Sequence, residues 1–214
     1  MLAVTARLLV MDVDSTLITG EVIEMLAAHA GSLDLVTQIT ERAMRGEIEF
    51  ATSLHERVAT LAGLPVSVFD DVRTQLELSP GARELIADVQ ARGWAVGLVS
   101  GGFVELVGPL AASLGITLYR ANALEVADGR LTGRVTGPVI DRAAKGVALR
   151  DYAAAVGADL AATVAIGDGA NDLDMLATAG FGIAFNAKPV VAAQADATLT
   201  GRLDAALDLP AFAV

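Results

Sequence analysis

Asp12-Val-Asp14-Ser-Thr16 sets two carboxylates two positions apart, directly behind the apolar run Arg7-Leu-Leu-Val-Met11. Side chains of an extended segment alternate with period two, so both acids face one side and can divide labour, one attacking and the other moving a proton. The same three residues, taken alone, also make an Asx turn entering a Ser or Thr helix cap. A second apolar run, Thr163-Val-Ala-Ile-Gly167, delivers Asp168-Gly-Ala-Asn171-Asp172. If the two runs are neighbouring strands, Asp168 comes beside Asp12, and carboxylates gathered at one sheet edge repel until a cation sits among them. The chain has no cysteine, and an oxygen-only site of Asp side chains suits Mg²⁺, which keeps waters and uses one or two carboxylates plus substrate phosphate.

Two further residues carry no specific signal when taken singly. Ser100 ends a third apolar run, Ala95-Val-Gly-Leu-Val-Ser100, and is followed by Gly101-Gly102. Taken alone, these residues make an ordinary turn into a helix at Phe103. Lys145 precedes Gly146 near the expected start of a helix, where a cation opposes the macrodipole and a solvated surface lysine is the plain alternative.

The elements that must position these groups are legible around them. Apolar runs ending in functional side chains are the pattern of buried parallel strands. Between them Ala82, Leu85, Ile86 and Val89 follow helical spacing, with Gly93 as the stop. The alternation predicts an α/β protein with a doubly wound, Rossmann-like parallel sheet, whose ligands bind outside the carboxyl ends of the strands. Two stretches depart from it. Glu21 to Phe69 shows three helical patterns and no strand, an inserted helical cap; the division expected is a core of 1–16 and 76–214 with a cap of 17–75. Leu124 to Val135 alternates about an Asp128-Gly129 turn, a hairpin signal that predicts a small flap over about 121–139.

Composition narrows the function classes. The 214 residues suffice for one α/β domain with an insertion. A net charge of −11 disfavours nucleic acid as a partner, because phosphate backbones are held by dense Lys and Arg. The hydrophobic fraction of 54% and mean hydropathy of +0.55 come from Ala, Val and Leu spread through every segment, and no apolar run reaches membrane-spanning length. The absence of cysteine disfavours zinc and fits a cytoplasmic protein. Because the first strand begins at Arg7, no regulatory domain is expected ahead of it, and no feedback through one.

Taken in order, Asp-x-Asp-x-Thr at 12–16, Ser100, Lys145 and Gly-Asp-Gly-x-Asn-Asp at 167–172 resemble the four motifs of haloacid dehalogenase-like phosphatases. Asp-Ser-Thr-Leu followed by Glu21, Val-Ser-Gly-Gly-Phe103 and Val-Ala-Ile-Gly-Asp-Gly-Ala-Asn-Asp172 narrow the resemblance to the phosphoserine phosphatases. That resemblance implies Asp12 as nucleophile, forming an aspartyl-phosphate, and Asp14 as general acid and base. It implies Mg²⁺ held by Asp12, Asp168 and the backbone carbonyl of Asp14, with Asp172 supporting that shell. Ser100, Gly101, Lys145 and Asn171 would hold the phosphoryl group, and the substrate would be L-phosphoserine in the last step of serine biosynthesis.

Head-group recognition then falls to the cap. Arg57 lies seven positions after Phe50, within roughly 20° of it around the helix and so beside the apolar stripe. Its guanidinium either snorkels to water or forms a fork for a substrate carboxylate. Glu21 opens the first cap helix, where the dipole alone favours an acid; the resemblance makes it the partner of the substrate ammonium, and makes Met44 and Phe50 the groups that exclude water. His29 and His55 carry no role. A homodimer is compatible with this reading. Two alternatives remain at the level of sequence: a phosphotransferase or phosphatase for another small phosphomonoester, with homoserine among the acceptors, and a non-enzymatic phospho-acceptor module.

Overall fold

The computed structural model describes residues 6–44 and 47–213, without the side chain of Met44. Strand β1 (Leu8–Met11) is wholly buried and lies between β2 (Ala95–Phe103) and β5 (Thr163–Gly167), parallel to both, with Leu8 level with Ala95 on one side and Thr163 on the other. With β3 (Leu118–Ala127), β4 (Arg130–Thr136), β6 (Phe181–Phe185) and β7 (Ala197–Leu199) they form a seven-stranded sheet of order β4-β3-β2-β1-β5-β6-β7. All neighbours are parallel except β3 and β4. Runs of Leu, Val and Ile without polar alternation are what strands covered on both faces require. Leu9 and Met11 join one core with Leu98, Ile166 and Phe185, while Leu8 and Val10 join the opposite one with Leu149, Tyr152 and Ala165. The fold is thus the doubly wound α/β sheet anticipated from the alternation.

Helix α5 (Ala82–Ala91) stops as expected at Gly93, whose φ of 79° the missing Cβ permits. Helix α6 (Val104–Ser113) follows β2 directly; the strand runs on through the glycine pair, so Ser100-Gly101-Gly102 is irregular strand and not a turn into the helix. Helix α7 (Arg142–Val156) is capped by Asp141, whose Oδ1 accepts from the Ala144 amide at 2.8 Å, and closes at Gly157 with φ 71°. Helix α8 (Leu173–Thr178) packs beside it.

Among the described residues the insertion after β1 holds four helices, α1 (Val22–Ala30), α2 (Leu33–Met44), α3 (Phe50–Ala59) and α4 (Val68–Gln75), against the three expected. The fourth escaped because it buries only Val68, Phe69 and Val72, too short a stripe to show a period. The chain leaves and re-enters the sheet layer through paired segments: Thr19 N–H donates to Glu77 O at 3.0 Å and Ser79 N–H to Leu17 O at 2.9 Å. The expected hairpin is present, Asp128 and Gly129 taking φ 50° and 71° as a two-residue type I′ turn demands. It extends from the edge of the main sheet. The first half of β3 pairs with β2 in the main sheet, and the hairpin grows from that edge to meet the loop after α3, with Gly63 and Leu131 N–H groups donating to Leu131 and Leu64 carbonyls at 2.8 Å each.

Candidate active site

At the carboxyl edge of β1 and β5, Asp12 N–H donates to Ile166 O at 2.9 Å, holding the two strand ends side by side. Asp12 is therefore beside Asp168, as the paired runs suggested. Beyond Asp12 the chain turns tightly, and Ser15 takes φ 56°, a left-handed conformation uncommon for a residue with a Cβ. Two side-chain bonds secure it: Ser15 Oγ donates to Glu21 Oε1 at 2.6 Å, and Thr16 Oγ1 donates to Asp168 Oδ1 at 2.9 Å.

Lys145 decides the electrostatics. It has no solvent exposure, and its Nζ lies 2.7 Å from Asp12 Oδ1 and 2.6 Å from Asp172 Oδ1. Burial alone would push its pKa down, but the two carboxylates outweigh that and hold it above the usual lysine value. The solvated-lysine reading is thereby excluded. Asp172 is equally buried, and its other oxygen accepts the Asp168 and Gly169 amides at 3.1 and 2.9 Å. Gly167 has to be glycine, because a Cβ there would lie 2.5 Å from Asp172 Cγ.

Carboxylate oxygens of Asp12, Asp168 and Asp172 lie within 4.8 Å of one another. Burial, and then Asp172, pushes Asp168 up to about 6. Burial first, with Asp172 next, raises Asp12 well above the usual range, and Lys145 offsets this only in part. Asp12 Oδ1 is buried without an aligned hydrogen bond despite its ion pair. A negative excess of buried carboxylates around a single lysine fits a hard divalent cation. Since both oxygens of Asp172 are engaged, Asp12 and Asp168 are the carboxylates left to hold it.

Asp14 points to other partners. Its Oδ1 accepts the Val22 amide at 2.8 Å and its Oδ2 the Ser100 hydroxyl at 2.9 Å. Burial raises its pKa, against the pull of those two donors. Ser100, fully buried, accepts the Gly102 amide at 2.7 Å, and the Gly101 carbonyl accepts from Asn122 Nδ2 at 2.8 Å. Asn171 sits in the turn Ala170–Asp172, with its Oδ1 folded over Gly169.

The helical insertion covers this group. Phe50 Cζ stands 3.3 Å from where a Gly101 Cβ would be, so its ring lies on the Ser100-Gly101 segment. Arg57 is partly buried; its Nε donates to Ser53 O at 3.2 Å and Nη1 to Thr40 Oγ1 at 3.5 Å, and among the described residues no carboxylate pairs with it. Burial lowers its pKa, opposed by Glu21 and Asp14. Burial, then Asp14, pushes Glu21 up to about 7. The expected contact of Met44 concerns a side chain outside the described residues, and His29 and His55 are exposed. Sequence reasoning missed Thr16, Gly102 and Asn122 as parts of the site. Thr16 stood inside a motif whose acids drew attention, and Asn122 left no signal, because its strand Leu118–Ala127 also carries Ala and Glu, residues that strands disfavour as they do Asn.

Fold and site together define a Rossmann-like α/β protein with an acid-and-lysine centre where the strand order reverses, the place such sheets keep for ligands. Residues 9–177 match the family model of the haloacid dehalogenase-like hydrolases. The chain belongs to that family. It is 58% identical over 196 residues to a phosphoserine phosphatase of Mycobacterium tuberculosis, covering 92% of this chain and 48% of that protein. With the phosphoserine phosphatase of Streptomyces coelicolor it shares 60% over 185 residues, 86% of this chain and 45% of the relative. The chain thus spans about half the length of these two. The phosphoserine phosphatase of Streptococcus thermophilus is 53% identical over 193 residues, 90% of each chain. Among solved structures, a phospho-aspartyl intermediate analogue of phosphoserine phosphatase superposes with a TM-score of 0.90 at 40% identity, covering 95% of this chain and 98% of the other. A substrate-bound phosphoserine phosphatase complex matches at 0.90 and 39%, covering 95% and 97%.

Proposed function

We propose that this chain hydrolyses L-phosphoserine to serine and phosphate, through an aspartyl-phosphate on Asp12 and with Mg²⁺ as cofactor. The observation that carries the reading is the buried Lys145 bridging Asp12 and Asp172, next to an Asp14 turned toward Ser100. Asp12 attacks phosphorus in line, dividing a difficult hydrolysis into two easier displacements. Asp14, its proton favoured by burial, gives that proton to the departing serine oxygen and then, as the conjugate base, takes one from the attacking water. Ser100, the Gly101 amide, Lys145 and Asn171 hold the phosphoryl oxygens as charge redistributes. Asp12, Asp168 and the Asp14 main-chain carbonyl would hold Mg²⁺, with Asp172 fixing the loop behind it; when bound, the ion supplies the charge that lets a carboxylate approach a phosphate.

Arg57 and Glu21 recognise the carboxylate and ammonium of the substrate, and Phe50 with Met44 excludes water around it. In this reading 17–75 is a cap over a core of 1–16 and 76–214, and the enzyme works in the cytoplasm, as a possible homodimer, at the end of serine biosynthesis. A phospho-acceptor module would need neither a helical cover nor an acid on the first strand. Phosphate release from L-phosphoserine with Mg²⁺, with and without homoserine, is the test. Slow release beside rapid hydrolysis of sugar phosphates would overturn the substrate, and phosphorylated homoserine without free phosphate would overturn hydrolysis.

A further inference from the structure

Asn122 is 1% exposed on β3, and both ends of its amide are used. Nδ2 donates to the Gly101 carbonyl at 2.8 Å, and Oδ1 accepts the Ile140 amide at 2.8 Å, which fixes which end is which. The Gly101 carbonyl and the Gly102 N–H belong to one planar peptide. Its oxygen is held by Asn122 and its N–H donates to Ser100 Oγ at 2.7 Å. A hydroxyl has a single proton; with the Gly102 amide on one lone pair, the Ser100 proton goes to Asp14 Oδ2, 2.9 Å away, until in the proposed reaction a phosphoryl oxygen takes its place as acceptor. A continuous chain of hydrogen bonds therefore runs from a buried amide on β3 to the carboxylate of Asp14. Asp14 is held at its other oxygen by the Val22 amide at 2.8 Å, so this chain acts on Oδ2. Gly101 lies where the register of β2 against β3 shifts between Val99 and Phe103, so the regular ladder does not hold this peptide. Nor can bulk hold it. A Cβ on Gly102 would fall 2.6 Å from Asp14 Oδ2.

We propose that Asn122 is a positioning residue of this site: by gripping the Gly101–Gly102 peptide it sets the direction of the Ser100 hydroxyl, and through it the placement of Asp14. It touches no substrate and acts through the groups that do. The inference deepens the phosphatase reading and rests on the roles given there to Ser100 and Asp14. A contact that only orients groups for the transition state lowers kcat and leaves substrate affinity in place.

The test compares wild type with Asn122→Leu, which keeps the volume and removes both bonds, and Asn122→Asp, which keeps the acceptor for Ile140 and removes the donor to Gly101. Both should lower kcat by about 10- to 100-fold, the range for groups that orient a first layer of ligands, with KM changed less than about threefold and orthovanadate inhibition weakened in parallel with kcat. Inhibition by serine, the product that binds on the Glu21 and Arg57 side, should stay as in wild type. Unchanged kcat and vanadate affinity would overturn the proposal, and so would an equal loss of serine and vanadate affinity, which marks general loosening. Should Asn122→Leu not fold, Asn122→Asp decides by the same criteria. Failure of wild type to hydrolyse phosphoserine would sink the substrate assignment alone, because the comparison on p-nitrophenyl phosphate and vanadate reads Asn122 without the natural substrate.

Discussion

Replacing Lys145 by Met keeps most of the buried volume but strips Asp12 and Asp172 of their shared cation. Removing one partner from a buried charge cluster costs about 3–5 kcal/mol, so Lys145→Met should lower the urea midpoint strongly in chelator. An unchanged midpoint would show that these carboxylates are neutral in the folded state. In Asp12→Asn the carboxylate of Asp172 still pairs with Lys145, so the variant should fold, and kcat should drop by about three orders of magnitude or more, as loss of a nucleophile does. Burial, and then Asp14, pushes the Glu21 carboxyl up to about 7, so it is neutral below that pH and anionic above it. As the proposed partner of an ammonium it should make kcat/KM for phosphoserine fall as pH drops through about 7, beyond the decline due to the substrate phosphate itself. Glu21→Gln should be slower and lack this extra limb; a limb that survives the substitution belongs to another group.

At the scale of elements, the hairpin and the helical insertion behave as one piece. Gly63, Leu64 and Val66 bond to Leu131 and Gly129 in the manner of an added strand, and Arg130 Nη1 donates to Gly63 O at 2.7 Å. Gly133, at φ 82°, is the close approach: a Cβ there would lie 3.0 Å from Ala62 Cβ and 3.1 Å from Ala59 O. Gly133→Val should destabilise the protein by about 1–3 kcal/mol through overpacking and raise KM, because α3 carries Phe50 and Arg57. A KM equal to wild type would show that the hairpin does not set the position of α3. The sequence disclosed the hairpin through its turn residues and the helices through their stripes, both of which are local signals. It did not disclose the junction between them, since main-chain bonds between distant segments leave no mark on side-chain pattern.

For the molecule as a whole, the site gathers Asp12, Asp14, Asp168 and Asp172 near one lysine, within a chain of net charge −11. A cation bound only by the folded state stabilises it by mass action, by about 2.7 kcal/mol at a hundredfold excess over Kd. Mg²⁺ should therefore raise the melting temperature, chelator should abolish turnover reversibly, and Asp168→Asn should lose both responses while remaining folded. A melting temperature indifferent to Mg²⁺ would refute a metal at this edge. What the sequence by itself determined was the alternation of buried strands and helices and the identity of the acids behind them, because burial and strand periodicity write directly into residue type. Only the tertiary structure decided that Lys145 is buried and not a surface cation, that Asp14 turns toward Ser100 while Asp12 faces Lys145, and that Asn122 grips Gly101. Those outcomes depend on which strand ends lie side by side. Adjacency in the sheet brings Asp168 beside Asp12, and the packing of α7 on that sheet brings Lys145 to both Asp12 and Asp172; these residues are far apart in the chain and no local pattern encodes their meeting.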